Sequence, residues 1–212
     1  MNSVVWKGSS YIKRQQRTAD LGPMHIEPLS LPGVFLITPT RFGDARGFFA
    51  ETWNARTFAA AGLDLTFVQD NHSFSAERNT VRGLHFQAPP HAQAKLVRCG
   101  RGALLDALVD IRRGSRTYGR WLVAELSAEN GKMLFVPEGF AHGFVTRVAN
   151  TEIVYKCTDF YAPEADGAIR WDSCGIDWNL TGEPILSERD AVAPVLADFD
   201  SPFHFETDGA EA

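Results

Sequence analysis

Short apolar runs of strand length, broken at close intervals by Gly, Pro, Asn or Ser, dominate the middle of this chain. Runs of this length that are rich in β-branched and aromatic residues favour β-strands, and many of them in close succession are typical of sandwiches and barrels. The pattern therefore predicts an all-β, double-sheet barrel. The runs are GVFLITPTRF, TFVQDNHSF, AKLVRCGRGALLDALVDIR, RWLVAELS, GKMLFVPEG, HGFVTRVAN and TEIVYKCTDFY.

Two segments are predicted to form short peripheral helices. NARTFAAAGL begins with Asn54, which can cap a helix, and ends near Gly62, which can terminate one. SERDAVAP offers Ser187 as an N-cap, followed by acidic residues in the first turn.

The ends of the chain differ in composition from the middle. Residues 1–23 carry several basic side chains without hydrophobic periodicity, and they are predicted to be a disordered leader or a non-native extension. Residues 198–212 turn acidic and are predicted to be a frayed C-terminal tail. A length of 212 residues then leaves one barrel domain at 24–197.

Charge and composition exclude several classes of partner. A net charge of −5, spread along the chain, argues against a nucleic-acid-binding protein. No apolar run approaches the ~18 residues of a membrane span, and Cys99, Cys157 and Cys174 form neither a C-x-x-C motif nor an even set. We expect a cytoplasmic protein that binds neither nucleic acid nor membrane.

The segment NTVRGLHFQAPPHAQAKLVR, residues 79–98, places His85 and Lys95 in otherwise apolar strands. Residues two apart on a strand share a face, but the pattern leaves open whether the face of His85 is solvent or barrel interior. Alternation groups Gly83, His85 and Gln87 on one face, and Arg82, Leu84 and Phe86 on the other.

A metal site of the cupin kind is incomplete in this sequence. GKMLFVPEGFAH, which ends at His142, has the spacing of the second cupin metal motif, although Thr146 stands at its Asn position. In the first motif Gln87 replaces a His and no Glu follows, and a neutral amide is a poor metal ligand. Three protein ligands cannot be assembled, so we expect no metal and no other cofactor.

A His, a Lys and a Tyr remain as candidates for metal-free chemistry. Imidazole, with an unperturbed pKa of ~6.5, suits His85 to proton abstraction near neutrality. Lys95 would face a developing oxyanion and Tyr155 would be a weak acid, a set that suits proton abstraction next to a carbonyl. Taken singly, His85 could equally be satisfied structurally and Tyr155 could be a core residue.

The order of several long motifs resembles the dTDP-4-dehydrorhamnose 3,5-epimerase family. The resemblance implies a metal-free, cupin-like jelly roll that is normally a homodimer, with N-terminal strands crossing to the partner subunit. It also implies inversion of C3 and C5 of dTDP-4-dehydro-6-deoxy-D-glucose, giving dTDP-4-dehydro-L-rhamnose for polysaccharide synthesis. From Gly33 to Pro194 the motifs are FGDARGFFAETWN, FVQDNHS, VRGLHFQ, QAKLVRC, LSAENGKMLFVPEGFAHGFV, YKCTDFYAP and SERDAVAP.

The resemblance also implies catalytic roles for four residues. His85 is the base and Asp190 is the carboxylate paired with it. Lys95 stabilises the enolate at the C4 carbonyl, and Tyr155 is the acid on the opposite face. Asp106 and Asp110 are alternative carboxylates that could orient His85.

Ten further positions are implied in substrate binding. Taken alone, Arg46 or Glu51 could be an ordinary solvated charge, and His142 could be a satisfied relic of the lost metal motif. Phe160 departs from the family, which commonly shows a Tyr there. The ten positions are Arg46, Glu51, Gln69, Asp70, Asn71, Arg82, His142, Tyr161, Asp166 and Arg189.

Two other functions remain open. One is a C3-only or C5-only epimerase acting on a related 4-keto-6-deoxysugar nucleotide. The other is a non-catalytic barrel that binds sugar nucleotides. A pure binder has no use for an acid and a base on opposite faces, so the combination of His85, Lys95 and Tyr155 argues against the second alternative.

Overall fold

The computed structural model describes residues 24–205, so the predicted leader and residues 206–212 lie outside the described range. Within it, no helix is long and apolar enough to cross a membrane. The helices are α1 (Ala55–Ala60) and α2 (Glu188–Val192). The strands are β1 (His25–Pro28), β2 (Phe35–Thr38), β3 (Arg41–Asp44), β4 (Gly47–Ala50), β5 (Gln69–Ser75), β6 (Val81–Gln87), β7 (Lys95–Arg101), β8 (Ala103–Asp110), β9 (Trp121–Ser127), β10 (Met133–Val136), β11 (Phe140–Thr146), β12 (Thr151–Cys157) and β13 (Asp166–Ala168).

Two antiparallel sheets form the barrel. The six-stranded sheet has the order β1-β2-β10-β7-β12-β5, and the five-stranded sheet has the order β13-β6-β11-β8-β9. Strands β3 and β4 form a separate hairpin. Many neighbours are distant in sequence, as in a jelly roll, and the prediction of an all-β, double-sheet, cupin-like fold is confirmed.

The main core lies between the sheets. Val97 and Ile153 of the six-stranded sheet pack against Leu104 and Leu108 of the five-stranded sheet, all at most 1% exposed. Burying a side chain of this size stabilises the fold by about 1.5–3 kcal/mol. A second core covers the outer face of the five-stranded sheet, where the segment that includes Trp178 packs on β6 and β8.

Both predicted helices form, with the predicted caps. Asn54 Oδ1 accepts from the backbone N–H groups of Arg56 (3.0 Å) and Thr57 (3.3 Å) at the start of α1. Ser187 Oγ accepts from Asp190 N at 3.1 Å at the start of α2. These bonds satisfy donors that a helix end otherwise leaves unpaired. Helix α2 carries one of the candidate catalytic carboxylates to the barrel.

The described part of the predicted tail is packed. Phe203 is 7% exposed and joins the outer core, and Ser201 Oγ donates to Ile111 O. Arg113 N donates to Phe203 O at 2.9 Å. The packed part of the chain therefore extends past the predicted boundary at residue 197.

Candidate active site

A β-bulge between β6 and β11 shapes the site. His142 lies opposite His85 and Phe144 lies opposite Arg82, so two residues of β6 face the single Gly143. Gly83 has φ +126°, and a Cβ there would lie 2.6 Å from Gly143 Cα, so only glycine fits.

Because of the bulge, the alternation predicted for β6 is wrong at Arg82. Arg82 was placed on the face opposite His85, but both side chains line the same cavity. Arg82 reaches across to β5, where Nε donates to Ser75 Oγ (3.2 Å) and Nη2 donates to Phe74 O (2.9 Å). Leu84 and Phe86 pack in the outer core, which leaves His85 facing the interior.

A cavity of about 450 Å³ opens between the two sheets and collects most of the candidate residues. Its size is within the range of small-molecule sites. Its polar lining comes from five strands and helix α2, which are far apart in sequence. The candidates that line it are Arg82, His85, Lys95, His142, Tyr155, Arg189 and Asp190.

His85 and Asp190 form a hydrogen-bonded pair in this cavity. His85 Nε2 donates to Asp190 Oδ1 at 2.6 Å, with side-chain exposures of 33% and 4%. Burial is the largest single influence on Asp190 and opposes its ionisation, but the contacts with His85, Gly83 N and Ser187 together lower the pKa of Asp190. An ionised carboxylate only accepts, so the neutral ring carries its proton on Nε2 and leaves Nδ1 as the basic nitrogen.

The side chain of Lys95 lines the cavity from β7. Within residues 24–205 its ammonium makes no hydrogen bond or ion pair, although the side chain is partly buried. Burial lowers the pKa of Lys95, while the nearby Cys157, Asp166 and Asp106 act to raise it. An ammonium without a protein partner in a polar cavity is suited to an anionic ligand atom.

Tyr155 faces the cavity from β12, in the sheet opposite His85. Burial is the main reason that the pKa of Tyr155 is raised, and a hydrogen bond with Asn71 opposes the increase. The phenol therefore keeps its proton through neutral pH. It is a potential proton donor on the side of the cavity away from His85.

The structure distinguishes the three carboxylates considered as partners of His85. Only Asp190 bonds to His85, while Asp106 Oδ1 accepts from His142 Nε2 at 2.6 Å. Asp110 accepts from Arg112 Nε at 3.0 Å and belongs to a turn network outside the cavity.

Asp166, Arg189 and Tyr161 form a network at the rim. Arg189 Nη1 donates to Asp166 Oδ2 at 2.6 Å, and Tyr161 Oη donates to the same oxygen at 3.2 Å. Burial opposes ionisation of Asp166, but the Arg189 contact prevails and its pKa is lowered. Asp166 is therefore a compensated carboxylate close to His85.

The QDN segment on β5 is divided between two faces. Gln69 Nε2 donates to Asn71 Oδ1 at 3.1 Å, and Asn71 lies beside Tyr155. Asp70 points to the outer face, where it accepts from Lys156 Nζ at 2.9 and 3.0 Å. None of the three lines the cavity, but Asn71 lies beside its Tyr155 and Gln69 bonds to Asn71, whereas Asp70 lies on the other face.

Arg46 and Glu51 lie apart from the cavity within this chain. Arg46 is 88% exposed and pairs with Asp44 on the β3–β4 hairpin. Glu51 follows β4 and is exposed. Neither residue lines this chain's own cavity, so no contact supports a binding role for them there.

Gln87, at the position of a cupin metal ligand, is used structurally. Its Nε2 donates to the carbonyls of His91 and Phe160, and its Oε1 accepts from Ala162 N at 2.9 Å. Within residues 24–205 no group of three or more His, Cys, Asp or Glu side chains is arranged to hold a metal ion. Metal independence stays a prediction.

Several residues that line the cavity were not predicted as site residues, among them Ser73, Ile185 and Leu186. Ser73 follows Asn71 by two positions on β5, so alternation would have found it. Ile185 and Leu186 are apolar loop residues without a motif. Their place depends on the parallel bridge of Ile185 to Thr80, which no local signal indicates.

Comparisons with known proteins agree with this arrangement. A profile of dTDP-4-dehydrorhamnose 3,5-epimerases matches residues 28–198. The dTDP-4-dehydrorhamnose 3,5-epimerase of Sinorhizobium fredii (strain NBRC 101917 / NGR234) is 49% identical over 188 residues, which are 88% of this chain and 96% of that protein.

Two solved structures extend the comparison. A dTDP-6-deoxy-D-glucose-3,5-epimerase from Legionella pneumophila Philadelphia 1, in complex with dTDP-4-keto-L-rhamnose, is 39% identical with a TM-score of 0.82, covering 86% of this chain and 100% of that chain. ChmJ, a 3'-monoepimerase from Streptomyces bikiniensis in complex with dTDP-quinovose, is 36% identical with a TM-score of 0.77, covering 81% and 87%.

The two sheets and the polar cavity between them define a cupin-like enzyme suited to acid–base chemistry on a small molecule. The profile match and the relatives of nearly full length specify the kind of enzyme. The chain belongs to the dTDP-4-dehydrorhamnose 3,5-epimerase family, a family of isomerases. The resemblance noted from the motifs is confirmed.

Proposed function

We propose that this chain inverts C3 and C5 of dTDP-4-dehydro-6-deoxy-D-glucose and yields dTDP-4-dehydro-L-rhamnose. The observation that carries the proposal is the pairing of His85 with Asp190 at 2.6 Å in the same cavity as the ammonium group of Lys95. A base and a cation so placed can remove a proton next to a carbonyl and stabilise the resulting enolate.

The chemistry at each carbon has two steps. His85 takes the proton, the C–H electron pair forms the enolate, and the negative charge on the C4 oxygen is stabilised by Lys95. Tyr155 then protonates the carbon from the other face, and its phenolate regains a proton from solvent while His85 releases one. The proton inventory balances without a cofactor.

The origin of the side chains supports this division of work. His85 lies on β6 of the five-stranded sheet, whereas Lys95 and Tyr155 lie on β7 and β12 of the six-stranded sheet. A sugar ring held between the sheets would meet the base on one face and the acid on the other. Inversion requires that arrangement.

The rim supplies positive charge for the diphosphate. Arg82 and Arg189 both line the cavity. Guanidinium groups match phosphate oxygens well, so these residues are proposed to hold the diphosphate. Tyr161 is 57% exposed next to them and offers a flat apolar surface for the base of the nucleotide.

The proposal includes a homodimer with exchanged N-terminal strands. The β3–β4 hairpin exposes Phe42, Phe48 and Phe49 at 39%, 60% and 56%, an apolar surface of the kind that marks interfaces. Arg46 and Glu51 lie on or just after it, so a crossing hairpin would carry them to the partner's cavity.

We expect a molecular mass near twice the 23.4 kDa of the chain when light scattering is recorded on the purified protein. Phe48→Glu places a charge in the proposed interface and should shift the mass toward that of one chain. A wild-type protein that stays monomeric at micromolar concentration would remove the dimer from the proposal.

The function is tested by NMR of dTDP-4-dehydro-6-deoxy-D-glucose in D₂O with protein dialysed against a chelator. We expect deuterium to enter at C3 and C5 and both centres to invert. Inversion at one centre only would favour the monoepimerase alternative, which is supported by the similarity to the 3'-monoepimerase ChmJ. Binding without exchange would identify a non-catalytic barrel, and activity that returns only with added metal would refute the metal-free mechanism.

A further inference from the structure

A second histidine–carboxylate pair lies in the barrel, and the proposed chemistry gives its carboxylate no task. His142 Nε2 donates to Asp106 Oδ1 at 2.6 Å, and Asp106 is 0% exposed. The other oxygen, Asp106 Oδ2, has no hydrogen-bond partner among residues 24–205. Burial of an unpaired ionic oxygen is costly, so a compensating charge is expected nearby.

Lys95 is the complementary case, because its ammonium also makes no hydrogen bond or ion pair with the described residues. The negative or ionisable groups that act on it are Cys157, Asp166 and Asp106. Asp166 is already compensated by Arg189 at 2.6 Å, and burial raises the pKa of the Cys157 thiol, which keeps it neutral. Lys95 alternates with the core residue Val97 on β7, and Asp106 alternates with the core residue Leu104 on β8, so both side chains lie on the inward faces of their sheets. Asp106 has the smallest of the three effects on the pKa of Lys95, but it is the carboxylate with an oxygen that lacks a hydrogen-bond partner among residues 24–205.

This inference rests on the proposed function. We infer that Asp106 is a positioning residue whose Oδ1 fixes the His142 ring and whose unpaired Oδ2 supplies the negative charge that keeps Lys95 an ammonium ion. Lys95 can stabilise an oxyanion at C4 only while it holds its proton. Burial lowers the pKa of Lys95 and Asp106 opposes that decrease, so loss of Asp106 would release the proton at lower pH.

The alkaline limb of the pH–activity profile should depend on whether the Lys95 ammonium keeps its proton. Burial lowers the pKa of Lys95 and raises that of Tyr155, so burial favours loss of the lysine proton over loss of the phenol proton as pH increases. The titratable and charged groups around Lys95 are Tyr155 and Cys157 on β12, Asp166 on β13, Asp106 on β8, His142 on β11, Arg82 and His85 on β6, and Arg189 and Asp190 on α2.

The test is the pH dependence of kcat/KM for Asp106→Asn, which keeps the side-chain shape and removes the charge. We expect the alkaline limb to move to lower pH by about one unit, which is about a tenfold loss on that side. Asp110→Asn is the matched control. It removes a buried carboxylate from the same strand, outside the cavity, and should leave the limb in place.

Lys95→Arg provides an internal check. A guanidinium keeps its proton without a counter-charge. In the Lys95→Arg background, whatever its rate, Asp106→Asn should no longer move the limb. A purely structural role for Asp106 would instead give the same loss in both backgrounds.

A measurement that does not need catalysis completes the test. The ε-carbon resonance of Lys95, followed by NMR with labelled lysine, should titrate at lower pH in Asp106→Asn. If that variant does not fold, Asp106→Ser, which removes the same charge with a smaller side chain, should move the Lys95 resonance in the same direction. Unchanged titration in either folded variant overturns the inference. A wild-type protein that binds dTDP without exchange overturns the proposed function instead, and the two failures are distinct.

Discussion

Replacing His85 with Asn should abolish both inversion and exchange of the substrate protons at C3 and C5. His85 lines the cavity, and its bond to Asp190 through Nε2 leaves Nδ1 as the basic nitrogen. General acid–base assistance contributes about 10²–10⁴ in rate, and loss of the base should cost at least that much. The measurement is NMR of the substrate in D₂O with the variant and the wild type.

Two controls separate loss of chemistry from loss of fold. Calorimetry with dTDP should show that His85→Asn still binds nucleotide, because the proposed diphosphate contacts are made by other residues. His91→Asn removes another histidine–carboxylate pair, with Nδ1 of His91 3.2 Å from Asp159 and outside the cavity, and should keep its rate. Exchange at a near-native rate in His85→Asn would place the base elsewhere.

Most elements of this fold follow from local signals, and the sequence predicts them, although β1, β4 and β13 lie outside the predicted runs. Asn54 and Ser187 indicate the starts of their helices, because each side chain accepts a hydrogen bond from a backbone N–H group within the next three residues. The strands are indicated by composition and turn residues. Each of these signals is independent of the rest of the chain.

The faces of the strands depend on pairing, and there the sequence is less informative. Alternation from His85 puts Arg82 on the wrong face because it assumes a regular ladder. The bulge opposite Gly143 arises from the register of β6 with β11, whose residues lie about sixty positions further along. A glycine in a strand is a hint of a bulge, and Gly83 is such a residue.

Which carboxylate pairs with His85 also depends on tertiary structure. Asp106, Asp110 and Asp190 have the same chemistry, and Asp190 lies 105 positions from His85. No pattern within the strands selects it, and the assignment came from the resemblance alone. The predicted roles of Arg46 and Asp70 depend similarly on surfaces outside this chain's own cavity, so they stay predictions.

Lys95→Ala and Tyr155→Phe should have different effects although both residues act on one enolate. Lys95 provides the ammonium group in the cavity, and removal of one oxyanion donor typically costs about 10²–10³ in kcat. Lys95→Ala should therefore depress exchange and inversion together. Tyr155→Phe keeps the ring and its packing but removes the proton donor.

In Tyr155→Phe, His85 should still form the enolate and return a proton from its own side, so deuterium would enter without inversion. The deficit should be greatest at C5, where the resemblance places the Tyr. NMR in D₂O, with label and configuration followed separately at C3 and C5, makes the distinction. The matched control is Tyr118→Phe, which removes a phenol outside the cavity and should leave exchange and inversion unchanged.

Equal loss of exchange and inversion in Tyr155→Phe would make Tyr155 an enolate-stabilising or positioning group. Retained inversion would mean that another group delivers the proton, and the opposing placement of β6 and β12 would then no longer explain the stereochemistry.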